Sequence, residues 1–374
     1  MISKGTGIDK YVIEDELGRG GFGSVFLAKD TLSGALVAIK LLHPYVIQNN
    51  DAQNALLDEM INQARLSGNP NIVRILRSVR FVDRQGEHLG MVMEFVDGES
   101  LDRTIRKCGL LPDYFAVPIV LQALNGLDFA HRSGLLHRDI KPGNIIIDQD
   151  GLVKIMDFGL SKLMDEKRSA SESARAASLN YIAPERLGRE SIDVRTDIYS
   201  LGATFYEALT GQPPYEIEYG DWKTAELKHK KGGFPSVRRF YPGHHPAIDA
   251  IINKMLDPLP QKRYQGCSEI IRDLIPIYKK AVPPQRVDAS IFRLWQMTGS
   301  ILKTADPMPV MSVDIIREAG GHDSGSEIAQ NRHTTTSRRA YRNSNLPDKS
   351  LPSAYQKTRN NDSAFKFIRS IERF

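Results

Sequence analysis

The sequence predicts an α+β protein with two lobes, a strand-rich first part followed by a helix-rich second part. Residues 11–40 contain short apolar runs separated by glycine-containing turns, a pattern typical of antiparallel strands. Beyond residue 98, apolar residues recur at helical spacing over several long segments, which indicates helices with one buried side. Strands and helices that occupy different parts of the chain are typical of the α+β class.

Five strands and one main helix are predicted in the first part, over about residues 9–95. The strands lie near residues 11–13, 24–27, 36–39, 72–83 and 89–95, and turn residues such as Ser33-Gly34 separate them. The helix is predicted over 52–66, where Leu56, Met60 and Leu66 share one side with Glu59.

The second part, over about residues 99–280, is predicted to be mostly helical. Helices are predicted near 113–133, 196–209, 246–256 and 267–279 from apolar residues at helical spacing. Short strands are predicted on either side of Asp139, at 135–136, 145–147 and 153–156. Residues 94–98 form the expected hinge between the two parts.

The positive charge belongs to the end of the chain. The net charge is +5, and residues 281–374 carry 14 Lys and Arg against 9 Asp and Glu, so the first 280 residues are neutral overall. Proteins that bind nucleic acid usually carry a basic surface, and the first 280 residues have no excess positive charge, so nucleic-acid binding is not expected. The basic end is expected to be solvated, with weak contact to an anionic membrane surface as the alternative.

Residues 281–374 divide into three segments. Within the extension 281–319, a helix is predicted over 288–303 that docks on the body, because Ile291, Leu294, Trp295, Thr298, Ile301 and Leu302 lie near one helical face. Residues 320–374 are rich in Ser, Thr and basic residues, and over 320–363 large apolar residues are too few to offset chain entropy, which predicts disorder. The last residues, 364–374, have apolar side chains at helical spacing and predict a short amphipathic end.

Composition also bears on location. The two cysteines, Cys108 and Cys267, are too few for a disulfide framework or a zinc site, which favours a reducing cytoplasmic location. The first residues contain no apolar segment of the signal-peptide kind, and no run approaches 18 apolar residues. A signal peptide and a membrane span are therefore not expected.

A glycine-rich segment, Gly18-Arg19-Gly20-Gly21-Phe22-Gly23, joins the first two strands. The G-x-G-x-x-G spacing also occurs in dinucleotide-binding proteins, but there it opens a helix, whereas here a strand follows. Glycines between two strands predict a flap whose backbone N–H groups lie over phosphates. An ordinary hairpin is the alternative.

Lys40 ends the apolar run Val37-Ala38-Ile39. A lysine at such a place often extends to solvent along an apolar surface. The alternative is an ammonium group beside a cleft that holds nucleotide phosphates, with Glu59 of the predicted helix as its carboxylate partner.

Two further motifs contain acidic and amide oxygens. In the run 137–144, HRDIKPGN, Asp139 can accept a proton from an attacking hydroxyl, Lys141 can stabilise a transferring phosphoryl group, and Asn144 offers an oxygen to a cation. Asp157-Phe158-Gly159 follows a short strand, and Asp157 offers a second oxygen ligand. Magnesium prefers such hard oxygen ligands. Taken singly, an aspartate in a turn is more often a cap than a ligand.

The motifs occur in one order along the chain, and Ala183-Pro184-Glu185 follows them, with Asp197 and Arg263 further on. In this combination the chain resembles the eukaryotic-type (Hanks-type) serine/threonine protein kinases, and most of all their bacterial members. The resemblance covers about residues 9–280. It implies the protein kinase fold, with a small first lobe of one antiparallel five-stranded sheet and one main helix, and a larger helical second lobe.

The resemblance implies a role for each motif residue. Asp139 would be the catalytic base assisted by Lys141, Lys40 would pair with Glu59, Glu185 with Arg263, and Asp197 would brace the loop around Asp139. Asn144 and Asp157 would hold Mg²⁺, with Mn²⁺ as an alternative. The residues implied to bind ATP are Leu17, Gly18, Gly20, Gly23, Val25, Ala38, Lys40, Met93, Glu94, Val96 and Ile146.

The resemblance also implies the substrate and a form of regulation. Lys141 and Ser178 favour Ser and Thr acceptors on proteins over tyrosine. Autophosphorylation is expected on Ser169, Ser171 or Ser173 of the segment 160–182, facing Arg138 and Lys162 and involving self-association of the chain. Two departures from the family stand out: Gln63 replaces an apolar residue, and Gly143 stands where kinases directed to basic substrates often carry Glu.

Two other functions compete with this interpretation. A pseudokinase, which binds nucleotide without catalysis, would be expected to lack Lys40, Asp139, Asn144 or Asp157, yet all four are present. A kinase of small molecules would share the aspartates but usually lacks the segment Ala183-Pro184-Glu185.

Overall fold

A six-stranded antiparallel sheet forms the first part of the chain. The computed structural model describes residues 2–19, 23–43, 65–83, 86–158, 179–188, 191–283 and 289–304. The strands of this sheet are β1 (Gly7–Ile8), β2 (Tyr11–Arg19), β3 (Gly23–Asp30), β4 (Leu36–Leu42), β5 (Ile75–Asp83) and β6 (Gly86–Glu94). They lie in the order β1-β2-β3-β4-β6-β5, and each neighbouring pair is antiparallel.

The five predicted strands of this sheet are confirmed, and β1 adds a sixth. Gly7 pairs with Val12 and Ile8 with Tyr11, across a turn in which Asp9 has a φ of 53°. A two-residue strand has no alternation of its own, so the sequence pattern did not predict it. The predicted helix over 52–66 lies outside the described residues except for its last two, and the tail beyond residue 304 lies wholly outside them.

Strand β4 separates two apolar clusters. Val37, Ile39 and Leu41 pack in one cluster, while Ala38 and Leu42 belong to another. Successive side chains of a strand point to opposite faces of the sheet. Lys40 therefore lies on the same face of the sheet as Ala38. It is buried there, with 6% of its surface exposed.

The second part consists of helices and a small three-stranded sheet. Its strands are β7 (Gly98–Ser100), β8 (Ile145–Asp148) and β9 (Val153–Ile155), in the order β7-β8-β9. The predicted strand at 135–136 is wrong: these residues lie in an irregular segment. The helices are α1 (Leu101–Cys108), α2 (Asp113–Arg132), α3 (Pro184–Gly188), α4 (Val194–Thr210), α5 (Trp222–Lys231), α6 (Ala247–Met255), α7 (Cys267–Lys280) and α8 (Ala289–Thr304).

Polar caps and glycines set the helix ends. The side chain of Asp193 accepts a hydrogen bond from the N–H of Arg195 at the start of α4, which satisfies one of the donors that a helix N-terminus leaves unpaired. Helix α4 is followed directly by Gly211, whose φ of 81° is left-handed. Glycine adopts this conformation without the steric cost that other residues incur.

The core of the second part lies around α2 and α4, both of which are largely buried. Helices α6, α7 and α8 contribute apolar side chains to the same cluster. Across the described residues, no helix is both long and apolar enough to span a membrane. This core holds the loops between α2 and β8 and after β9, which carry the polar motifs.

Candidate active site

Lys40 and Asp157 form an ion pair between the two parts of the chain. Lys40 comes from β4, and Asp157 lies two residues beyond the end of β9. The Nζ of Lys40 lies 2.7 Å from Oδ1 of Asp157, and their side chains are 7% and 21% exposed. Glu59, the predicted partner of Lys40, lies outside the described residues. The structure pairs Lys40 with Asp157, which the resemblance implies to be a metal ligand.

Asp157 is held ionised in an unusual backbone conformation. Burial alone would raise the pKa of its carboxyl, but the charge and hydrogen bond of Lys40 outweigh burial, and the pKa is lowered. Its φ is 62°, a left-handed value that costs a non-glycine residue on the order of 1–3 kcal/mol. The surrounding contacts must therefore impose this conformation, which supports a functional role for Asp157.

Three residues of the 137–144 motif lie together. The Nζ of Lys141 is 2.7 Å from Oδ2 of Asp139, and Nδ2 of Asn144 donates to the same oxygen at 3.2 Å. Asn144 also donates to the backbone oxygen of Asp139 at 2.8 Å. These contacts fix the orientation of the Asp139 carboxylate.

Asp197 braces this loop from helix α4. Its two carboxylate oxygens accept the backbone N–H groups of His137 at 2.8 Å and Arg138 at 2.7 Å. Nε2 of His131, near the end of α2, lies 2.8 Å from Oδ2 of Asp197. Asp197 is fully buried, which by itself would raise its pKa, but these partners lower it. Arg138 has a φ of 67°, so the brace stabilises a loop conformation that is otherwise unfavourable.

His137 joins the loop to the segment that carries Asp157. Burial lowers the pKa of His137, so its ring is neutral. Nε2 donates to the backbone oxygen of Met156 at 2.8 Å, and Nδ1 accepts from the N–H of Asp139 at 3.2 Å. The ring also packs against Phe158, with centroids 4.5 Å apart. His137 thus links the Asp139 loop to the segment that carries Asp157.

Asn144 and Asp157 fit a magnesium site by their chemistry. The amide nitrogen of Asn144 is committed to Asp139, so its amide oxygen is the atom that it can offer to a cation. Asp157 gives Oδ1 to Lys40 and retains Oδ2. Over the described ranges, no group of three or more His, Cys, Asp or Glu side chains could hold a metal. A site with two protein ligands suits Mg²⁺, which keeps several waters and binds phosphates as well.

Four of the residues that the resemblance implies to bind ATP share one apolar cluster. Val25, Ala38, Met93 and Val96 pack together, joined by Met156, which the sequence did not single out. Leu17 on β2, which is also implied to bind ATP, is 40% exposed, and Ile146 on β8 is partly buried.

The resemblance implies that backbone groups of Glu94 contact the edge of adenine. Its contacts within the protein limit which of these groups can do so. Its backbone N–H donates to the oxygen of Arg74 at 3.0 Å, and its carboxylate lies 2.7 Å from Nζ of Lys154. The backbone N–H is therefore engaged within the protein. Of the backbone groups of Glu94, its carbonyl oxygen is left as the candidate contact to an adenine edge.

The described glycines of the motif differ in their surroundings. Gly18 on β2 pairs with Val25 on β3, and a Cβ there would meet nothing within 4 Å. At Gly23 a Cβ would lie 2.0 Å from the backbone oxygen of Leu41, so a side chain is excluded by the neighbouring strand. Gly20 lies outside the described residues.

Glu185 and Arg263 form a buried ion pair below the loop. Nη1 of Arg263 donates to Oε1 of Glu185 and Nη2 donates to Oε2, both at 2.8 Å. The hydroxyl of Thr196 donates to Glu185 at 2.9 Å. Arg186, which the sequence analysis missed, donates from Nη1 to the backbone oxygen of Arg138. The residue beside the ion pair therefore contacts the loop that carries Asp139.

Comparison with known proteins decides the family. Residues 11–274 match the protein kinase domain family. The chain belongs to the protein kinase family. The predicted fold class is confirmed by solved kinase domains: the Mycobacterium tuberculosis PknI kinase domain superposes with a TM-score of 0.57 at 24% identity, covering 73% of this chain and 98% of that chain.

Curated relatives of this kinase domain are longer proteins. The serine/threonine-protein kinase PknB of Mycobacterium leprae is 33% identical over 276 residues, covering 74% of this chain and 44% of that protein. PknB of Mycolicibacterium smegmatis is 34% identical over 279 residues, with the same coverage of both chains. The chain thus spans less than half the length of these relatives.

Proposed function

We propose that this chain is a serine/threonine protein kinase that transfers the γ-phosphoryl group of ATP to protein hydroxyls with Mg²⁺. Its curated relatives carry the name serine/threonine-protein kinase. The observation that carries the proposal is the carboxylate of Asp139, held by Lys141 at 2.7 Å and by Asn144 at 3.2 Å. A carboxylate oriented in this way is suited to accept a proton from a substrate hydroxyl.

Each side chain has a defined role in the proposed reaction. As the acceptor oxygen of Ser or Thr forms its bond to the γ-phosphorus, its proton passes to Asp139, and the bond from that phosphorus to the β-phosphate oxygen breaks to release ADP. Lys141, beside Asp139, stabilises negative charge on the transferring group. Catalysis of this kind depends mainly on positioning and charge neutralisation.

Lys40, Asn144 and Asp157 would hold the nucleotide and its cation. Lys40 would contact the α- and β-phosphates, and the oxygens of Asn144 and Asp157 would bind Mg²⁺ or Mn²⁺. The cation supplies charge neutralisation at the phosphates. Asp157 suits this task because the pKa of its carboxyl is lowered, so it is ionised at neutral pH.

Regulation and location complete the proposal. We propose autophosphorylation on Ser169, Ser171 or Ser173, which requires two copies of the chain to meet. These serines and Ser178 lie outside the described residues. A phosphate adds about −1.5 to −2 charges, which Arg138 and Lys162 would attract. A cytoplasmic location is also proposed, and it is supported by the buried thiols of Cys108 and Cys267, neither of which forms a disulfide.

The proposal is tested by transfer of radiolabel from ATP to a generic protein acceptor. Wild type should label the acceptor on Ser or Thr, and magnesium chelation should abolish labelling. Asp139→Asn should lose roughly 10²–10⁴-fold in rate, while Asp150→Asn, an exposed aspartate on the β8–β9 turn, should retain full rate.

The same assay separates the two alternatives. Nucleotide binding without transfer to any acceptor would identify a pseudokinase. Turnover of ATP with aminoglycosides or choline but not with proteins would identify a kinase of small molecules. Activity of Asp139→Asn within threefold of wild type would contradict the role of Asp139.

A further inference from the structure

Helix α8 packs on the kinase body through one buried stripe. Ile291, Leu294, Thr298 and Ile301 are at most 7% exposed, and their spacing places them on one side of the helix. The family match ends at residue 274, so α8 lies beyond it. The stripe includes one polar residue, Thr298, which is fully buried.

The fit of α8 is close enough to require glycines. A Cβ on Gly151, in the β8–β9 turn, would lie 2.2 Å from the backbone nitrogen of Leu294. A Cβ on Gly299 of α8 would lie 2.8 Å from the hydroxyl of Tyr278. That hydroxyl donates to the backbone oxygen of Trp295 at 2.6 Å, and the two rings stack at 5.2 Å. Helix α8 therefore contacts both α7 and the β8–β9 turn.

Thr298 completes the hydrogen bonds of a buried glutamine. Gln122 of α2 donates from Nε2 to the hydroxyl of Thr298 at 3.0 Å and to the backbone oxygen of Gly151 at 2.9 Å. Its Oε1 accepts from the N–H of Val153 at 2.8 Å and from Nδ2 of Asn71 at 3.0 Å. All four hydrogen-bonding positions of the amide are thus used, and Gln122 is 0% exposed.

Gln122 and Asn71 bind the edge of strand β9. Nδ2 of Asn71 donates to the backbone oxygen of Val153 at 2.7 Å, and the N–H of Ile155 donates to the backbone oxygen of Asn71 at 2.9 Å. Since β9 pairs with β8 on its other edge, these contacts replace a neighbouring strand. The strand ends two residues before Asp157, so a shift of the strand would move the backbone that carries this carboxylate.

We propose that Thr298 is a positioning residue for Asp157, acting through Gln122 and strand β9. The inference rests on the proposed function in that Asp157 is taken to bind the cation that accompanies the nucleotide. Without the Thr298 hydroxyl, one N–H of Gln122 is buried without a partner, which is costly. The amide then shifts to recover a partner, and its bonds to Val153 and Asn71 change with it.

The first test measures amide hydrogen exchange in the full chain. Thr298→Val removes the hydroxyl and keeps the shape, and Thr298→Ala serves as a second variant. We expect exchange of the Val153 and Ile155 amides to accelerate about fivefold, the effect of losing one buried hydrogen bond. Ile291→Val is the matched control, because it weakens the same helix and leaves the Thr298 hydroxyl in place. Equal acceleration in the control, or none in the Thr298 variants, overturns the proposal.

The second test measures binding of a non-hydrolysable ATP analogue as a function of Mg²⁺ concentration. We expect the half-saturating Mg²⁺ concentration to rise about fivefold in Thr298→Val, to return to the wild-type value in Thr298→Ser, and to stay unchanged in Ile291→Val. A lowered melting temperature with an unchanged Mg²⁺ requirement means that Thr298 only stabilises the helix, and the proposal fails.

Failure of the proposed function would look different. A wild-type chain that binds the analogue with Mg²⁺ but transfers nothing to protein would contradict the proposed activity. The exchange and binding measurements on Thr298 would still decide the positioning role.

Discussion

The Nζ of Lys40 and Oδ1 of Asp157 lie 2.7 Å apart, joining the six-stranded sheet to the segment after β9. The two residues are 117 positions apart in the sequence. Because both side chains are largely buried, their charges interact with little screening by solvent. The carboxylate proposed to bind magnesium is thus held by the ammonium proposed to bind phosphates.

Lys40→Met should change the pH dependence of nucleotide binding. Burial raises the pKa of Asp157 and Lys40 opposes it most strongly, so removal of the ammonium raises that pKa. Since the cation needs the ionised carboxylate, the midpoint of Mg²⁺-dependent binding should move to higher pH, and phosphoryl transfer should fall by about 10²-fold or more. Titration of analogue binding against pH measures the shift. Lys40→Arg keeps the charge and is the control; superimposable pH profiles for wild type and Lys40→Met would count against the prediction.

Gly23→Ala should destabilise the kinase domain. Its Cβ would lie 2.0 Å from the backbone oxygen of Leu41, so β3 and β4 must move apart, at a cost of about 1–3 kcal/mol. Gly18→Ala is the matched control, because a Cβ there meets nothing within 4 Å, and its effect should stay within about 0.5 kcal/mol. Urea unfolding of both variants tests this pair; equal stabilities would show that the sheet tolerates a side chain at Gly23.

Arg263→Met should be strongly destabilising. It leaves the Glu185 carboxylate, 3% exposed, without its cation, and removing one partner of a buried ion pair costs about 3–5 kcal/mol. Lys230→Met breaks the exposed pair with Glu226 and should cost less than about 1 kcal/mol. The melting temperatures of the two variants provide the comparison. A similar decrease in both would show that the buried pair stabilises the fold no more than the exposed pair does.

Stability should fall as the pH drops from about 6.5 to 4. Burial lowers the pKa of His229 from 6.5 to about 4, while its ring lies 2.7 Å from the hydroxyl of Tyr199 and 2.8 Å from the backbone oxygen of Leu179. In this window the unfolded chain binds a proton that the folded chain does not. This favours unfolding by up to about 3 kcal/mol at the acid end.

His229→Gln provides the control for that pH dependence. An amide can accept from Tyr199 and donate to Leu179 but does not titrate, so the free energy of unfolding should vary less with pH between 6.5 and 4 than in wild type. Urea unfolding at a series of pH values measures both slopes. Identical slopes would assign the acid sensitivity to other groups, such as His137, whose pKa burial also lowers.

Local sequence pattern was sufficient for much of the fold. The apolar run Val37, Ala38 and Ile39 predicted a strand, which the structure confirms as β4. The pattern was insufficient for β1, which is too short to alternate, and for residues 135–136, which lie in an irregular segment. Periodicity reports which side of an element is buried, but a short apolar pair does not reveal whether a partner strand lies beside it.

By itself the sequence determined the order of the motifs and the chemical groups at the site, because spacing along the chain decides which side chains one loop presents together. Asp139, Lys141 and Asn144 are of this kind. Only the tertiary structure decided that Lys40 contacts Asp157 and that Thr298 contacts Gln122, 176 positions away. Such hydrogen bonds form between elements that packing of the whole core brings within 3 Å, and no local pattern records that distance.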